Sequence, residues 1–509
     1  MIGLTAESTP LRDIAEVAAF ARRCFQPAAD RTDVPATGDR TDVPAATDRV
    51  GVELEFLVVD RADPAGQVPL DRVRRLLPAE LPGGSRVTFE PGGQVELSGP
   101  AGPLPDAVAR MAADVAVVRG SLRAAGLSLS GVGLDPVRPA RRQLDLPRYA
   151  AMAEYLGVPY GALMMCSTAS VQINLDLGER PAERWERAHA FGPVLLAAFA
   201  NSPLSGGRPC GWMSGRQAVW DRLDPTRTMP VPVTGDPAAD WAAYLLDARL
   251  MLVREHAGHY RPVRDGSTFR DWLERGAATR GGPSRTPTLE DLAYHATTVF
   301  PPVRPRGWLE IRYLDAQHPD LWPVCAAVTH ALVTDDRAAV AAMAALEPSL
   351  LPSREAAGRR GPWEAGWDAS RTAGRGASGE AGRGGYREAC RGVWERAARC
   401  GLADPRLRTA AEAGFRAALE ALPRLGAGPE LVGAVAAFAD RHVSTGRSPA
   451  AYLLPPAPRH PTPARPAGTG TGLDPGPGAG LGTGLDHRPH DGSHDGPHDG
   501  PHDGGRARV

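Results

Sequence analysis

The chain has 509 residues and a formal net charge of -1. That length allows a large core, and the balanced charge gives no electrostatic case for nucleic acid or an anionic membrane as partner. Every one of its 58 basic residues is an arginine, because the sequence holds no lysine. A lysine-based phosphate loop and lysyl Schiff-base or nucleophile chemistry are thereby excluded. Phosphate handling, if any, must use arginine, backbone amides and metal. Six cysteines stand without a Cys-x-x-Cys pair, which fits a reducing compartment better than a disulfide framework or a structural zinc site. The N-terminus shows no basic region followed by an apolar one, and no run is long and apolar enough to span a bilayer. The expectation is a soluble, cytoplasmic protein.

In chain order, residues 10–25 read as an opening helix. A near-duplicated decapeptide over 31–49 follows and reads as an expansion in an exposed, flexible loop. Strands are predicted at 51–59 and 86–98, the second folding as a hairpin around Pro91-Gly92-Gly93. A helix is predicted over 104–125, a strand over 127–133 and another over 168–176. Helical patterns occupy 181–200, 240–256 and 288–299, and a strand follows at 307–314. Residues 322–347 and 386–442 are Ala/Leu-rich and helical by pattern, while 353–385, rich in Gly, Arg and Ser, reads as a flexible loop. Residues 1–450 thus read as one catalytic unit, and 451–509 as a disordered Pro/Gly/His-rich tail. The tail's Gly468-Thr469-Gly470-Thr471-Gly472 follows no strand and opens no helix, so a nucleotide role is not assigned to it. Its His-Asp-Gly repeats read as a solvated segment.

Chemistry concentrates on the strands. Side chains of a strand alternate faces, so Glu53 and Glu55 point one way while Val52, Leu54 and Phe56 point into a core. Glu90, Glu96 and Glu310 occur in similar contexts. Carboxylates gathered on one sheet face are costly unless cations neutralise them, and magnesium prefers oxygen ligands. Gln172 and Asn174 add neutral polar groups on the strand at 168–176. Arg312, two residues beyond Glu310 on the same face, reads either as its structural ion partner or as a clamp on a transferring phosphoryl group. Arg216 lies in a segment suited to bidentate capture of a carboxylate. Arg304 and Arg306 stand on a stiff Pro-rich connector, facing an anion or solvent. His256 and His259 read as an HxxH pair on a helix with no third ligand, and Cys166 as buried filler.

These segments, taken together, resemble the glutamate–cysteine ligase family, in its actinobacterial branch associated with ergothioneine biosynthesis. The matching pieces are Gly51-Val52-Glu53-Leu54-Glu55, the run from Phe89 to Ser98, and that from Met164 to Asn174. Further matches are Ala200-Asn201-Ser202-Pro203, Ser214-Gly215-Arg216 with Asp224 to Thr228, and the run from Phe300 to Asp315. They recur in order over about residues 50–320. The resemblance implies an α+β, glutamine-synthetase-like catalytic fold, with a curved antiparallel sheet funnel flanked by helices. It implies ATP and Mg as cofactors, and glutamate, cysteine and ATP as small-molecule substrates. The reaction implied makes γ-glutamylcysteine through γ-glutamyl phosphate. The residue roles that follow are Glu53, Glu55, Glu90, Glu96 and Glu310 on metal, and Arg312 with Glu310 at the reacting phosphate. Arg216, Gln172, Asn174 and Arg306 would contact substrate. A carboxylate–amine ligase with another amine acceptor, or a metal-dependent phosphotransferase, would use the same groups.

Overall fold

Alternating apolar and polar residues become the two faces of one sheet. The computed structural model describes residues 9–27, 48–256, 258–276, 285–346 and 391–455. Among them the strands are β1 (Val50–Asp60), β2 (Arg86–Phe89), β3 (Val95–Ser98), β4 (Leu127–Ser130), β5 (Ser170–Leu175), β6 (Leu204–Ser205), β7 (Arg208–Pro209), β8 (Leu252–His256), β9 (His259–Pro262), β10 (Val303–Pro305) and β11 (Leu309–Asp315). The main sheet runs β10-β11-β5-β1-β3-β2, with β4 pairing the second half of β1. Every pairing in it is antiparallel, and the sheet is open, with β10 and β2 at its edges.

Val52, Leu54 and Phe56 of β1, Val171, Ile173 and Leu175 of β5, and Leu309, Ile311 and Tyr313 of β11 are all buried on the core face. Against this face lies the helix Trp322–Thr334, which is apolar all round and buried along nearly its whole length. A helix with no polar stripe belongs inside the core. Helices Asp336–Leu346 and Pro405–Ala421 pack against it, Gly192–Ala198 packs on Pro405–Ala421 and on β11, and the opposite sheet face is left to the polar residues.

Three expectations need correction. The helix expected over 240–256 ends at Asp247, and 252–256 is β8, so His256 and His259 face each other across the β8–β9 hairpin with stacked rings 4.8 Å apart. The run 181–200 is two helices, Pro181–Ala190 and Gly192–Ala198, because Pro193 supplies no backbone donor. The Pro-rich connector holding Arg304 is the edge strand β10, where proline is tolerated. Helices Leu70–Leu76, Pro147–Leu156 and Ala162–Ser167 had no counterpart in the sequence reading. The 3-10 turn Pro449–Tyr452 runs into the start of the expected 451–509 tail, of which residues 451–455 are described; 456–509, like the 353–385 loop and 31–47, lies outside the described residues.

Candidate active site

The register sets the polar face. Glu55 on β1 stands opposite Glu96 on β3, Glu53 stands opposite Gln172 on β5, and Asn174 stands opposite Glu310 on β11. The Pro91-Gly92-Gly93 turn carries Glu90 to the same place, with Gly93 at a φ of 90° that a side-chain-bearing residue rarely adopts. The oxygens of Glu55, Glu90 and Glu96 lie within 4.8 Å of one another, and among the described residues this is the group of acidic, His or Cys ligands close enough to share an ion. All its donors are carboxylate oxygens, the set that magnesium favours.

Burial, and then the neighbouring charges of Glu310 and Glu96, push the Glu53 carboxyl up to about 7. Burial followed by Glu96 raises Glu55, and burial followed by Glu55 and Glu96 raises Glu90 well above the usual range. The protein has therefore placed anions where they repel, as a cation site requires. The polar groups of β5 hold them there. Ser170 N donates to Glu55 Oε2 at 2.8 Å, Gln172 Nε2 to Glu55 Oε1 at 3.0 Å, and Asn174 Nδ2 to Glu53 Oε1 at 2.8 Å. Gln172 and Asn174 thus act first as brackets for β1. Tyr149, on a helix the sequence reading missed, stands near enough for Glu90 and Glu96 to add to the rise that burial gives its phenol.

The β10–β11 side is cationic. Glu310 lies apart from the carboxylate trio and accepts from Arg304 Nε at 2.6 Å, Arg304 Nη2 at 3.1 Å and Arg306 Nη1 at 3.2 Å. Arg312 Nη1 lies 3.3 Å from Glu310 Oε2 and donates to Gln172 Oε1 at 2.7 Å. Burial would raise the Glu310 carboxyl, but Arg304, Arg312 and Arg306 together outweigh it and hold the group well below the carboxylate range. Burial likewise opposes the charge on Arg312, yet Glu310, Glu55 and Glu53 strengthen its hold on the proton. Three guanidinium groups on one carboxylate leave net positive charge facing the acidic trio. Arg304, one of those three, was read from the sequence as facing an anion or solvent; that the anion is Glu310 follows from the β10–β11 pairing.

Arg216 is the second residue of the short helix Gly215–Trp220, whose N-cap Ser214 accepts from Gln217 N at 3.1 Å. Its guanidinium is buried. Nη2 donates to the Arg312 carbonyl at 2.9 Å, while Nε has no partner. A pocket beside it is lined by Arg216, Gln217, Trp220, Phe300, Pro302 and Arg312. A buried donor without an acceptor costs free energy, and a ligand carboxylate entering this pocket would remove that cost. Cys166, half-buried, has its thiol pushed up to about 11 by burial, which suits filler and not a nucleophile.

The model of Glutamate-cysteine ligase family 2 (GCS2) matches residues 49–381. The chain belongs to the glutamate–cysteine ligase family. Within that family it is 42% identical over 386 residues to glutamate–cysteine ligase EgtA of Mycolicibacterium smegmatis, covering 74% of this chain and 80% of that one. It is 40% identical over 414 residues to EgtA of Mycobacterium tuberculosis, covering 79% and 84%. The chloroplastic glutamate–cysteine ligase of Medicago truncatula matches at 32% over 247 residues, 46% of this chain and 47% of that one. Among solved structures, the glutamate–cysteine ligase of Francisella tularensis in complex with AMP aligns at a TM-score of 0.45 and 12% identity, over 81% of this chain and 85% of that one. Among the described residues, no helix is long and apolar enough to cross a membrane.

Proposed function

We propose that this ligase joins the γ-carboxylate of L-glutamate to the amine of L-cysteine at the expense of ATP, and that its product serves ergothioneine biosynthesis. One observation supports the reading most: a single sheet face divides into a carboxylate half (Glu55, Glu90, Glu96) and a guanidinium half around Glu310. Phosphoryl transfer between two anions needs both, positioned in advance.

Glu55, Glu90 and Glu96 would hold magnesium, with Glu53 beside Glu55 on β1, while Glu310, expected from the sequence as a further metal ligand, is engaged by Arg304, Arg306 and Arg312 instead. When bound, magnesium offsets charge on the β- and γ-phosphates. Arg312, charged and fixed by Gln172 and Glu310, would face the transferring phosphoryl group, with Arg306 beside it. Arg216, with its unpartnered Nε, would take the α-carboxylate of glutamate and so aim the γ-carboxylate at phosphorus. A glutamate oxygen then bonds to the γ-phosphorus as ADP leaves. The cysteine amine next attacks the acyl carbon, losing its proton, as phosphate leaves. Asn174 and Gln172 reach substrate only through the strand positions they already bracket. Residues 1–450 would form the catalytic unit, working in the cytoplasm, and the open antiparallel sheet with one polar face accords with a glutamine-synthetase-like catalytic fold.

The test is ADP release with ATP, magnesium and glutamate, amino acids being added singly. Strong stimulation by cysteine, with γ-glutamylcysteine identified by mass, is expected. Equal release with every amine would instead support a ligase of other specificity, and release with none would leave no ligase.

A further inference from the structure

Behind Arg216 lies a carboxylate that the proposed chemistry does not use. Asp315, at the end of β11, is fully buried. It accepts from Asn201 N at 2.8 Å and Ser202 Oγ at 2.7 Å on one oxygen, and from Ser214 Oγ at 2.8 Å on the other. Both hydroxyls pass the contact on. Ser202 Oγ accepts from the backbone N–H of Arg216 at 3.1 Å, and Ser214 Oγ from that of Gln217 at 3.1 Å. The 202 and 214 segments also run side by side, so closely that a Cβ on Gly215 would stand 2.6 Å from the Ser202 carbonyl oxygen.

A buried anion beside a buried arginine usually pairs with it. Here the hydrogen bonds to Asp315 come from three neutral donors, while its charge still favours the charged Arg216. β11 therefore grips this arginine twice, at its backbone through Asp315 and the two serines, and at its guanidinium through the Arg312 carbonyl. Neither grip neutralises the cation or occupies Nε.

We infer that Asp315 is a positioning residue for recognition of the glutamate carboxylate, setting the place of Arg216 through Ser202 and Ser214 while leaving its guanidinium free to bind. The inference rests on the assignment of Arg216 to glutamate made above.

Steady-state kinetics of the full-length protein, with glutamate and ATP varied separately, test it. Ser202→Ala and Ser214→Ala are each expected to raise the glutamate KM roughly three- to tenfold, the scale of one ordinary hydrogen bond acting at one remove from the ligand, with the ATP KM little changed. Asp315→Asn should raise it further, and adding Asp315→Asn to Arg216→Ala should raise it no more than Arg216→Ala alone, since both act through one contact. If Asp315→Asn does not fold, the serine variants decide the matter. A glutamate KM unchanged in the serine variants, with only thermal stability or active fraction reduced, overturns the inference and leaves the role of Arg216 standing. An unchanged glutamate KM in Arg216→Ala overturns both.

Discussion

Arg216 shows what a single residue contributes. Its Nε is buried and unpartnered, and Nη2 is tied to the Arg312 carbonyl, so the side chain is fixed before a ligand arrives. A charge-assisted hydrogen bond is worth about 1.5–3 kcal/mol. Arg216→Ala is therefore expected to raise the glutamate KM roughly ten- to a hundredfold, read by varying glutamate at saturating ATP; a defect confined to the ATP KM contradicts the assignment. Two carboxylates that look alike in sequence should also behave oppositely. Glu310→Gln leaves Arg304 and Arg312, both largely shielded from solvent, without their anion, at a cost of about 3–5 kcal/mol in unfolding free energy. Glu90→Gln removes repulsion from Glu55 and Glu96 and should raise the thermal midpoint of the metal-free protein while abolishing turnover. Equal midpoints for the two variants would mean that the difference in their surroundings carries no energy. Both glutamates were legible in the sequence as site residues because period-two alternation puts them on the polar face. Their separate company was not, since it depends on which strand lies beside which.

At the scale of elements, β1, β3, β5 and β11 were legible because β-branched and apolar residues alternate with polar ones, and the Gly-Gly turn marks the hairpin. The stretch before His256 misled because its Leu and Met residues suit a helix as well as a strand, and the choice was made by pairing with β9. The helix carrying Tyr149 lacks a side-chain N-cap hydrogen bond, so no capping signal marked its start. The polar sheet face also has a pH signature. Glu53 titrates at about 7 in the folded chain against an ordinary 4.5, so the folded state binds the extra proton. Stability of the metal-free protein should fall as pH rises across that window. Magnesium should restore it, with a larger rise in thermal midpoint at about pH 8 than at about pH 5.5. A magnesium effect independent of pH would place the ion away from these carboxylates.

Across the whole molecule, an arginine-only chain and an acidic sheet face converge on one reaction. Without lysine, positive charge comes from guanidinium groups, which hold their protons when buried, as Arg312 does between Glu310 and Glu55. What the fold adds is the neighbour relation β10-β11-β5-β1-β3, which sets the guanidinium and carboxylate halves side by side on one sheet face. The central claim is that the γ-carboxylate of glutamate is itself phosphorylated before the amine attacks. Glutamate carrying oxygen-18 in that carboxylate, turned over with ATP, magnesium and cysteine, tests it directly. The released phosphate should carry one labelled oxygen for each γ-glutamylcysteine formed; unlabelled phosphate alongside product would contradict the acyl-phosphate route.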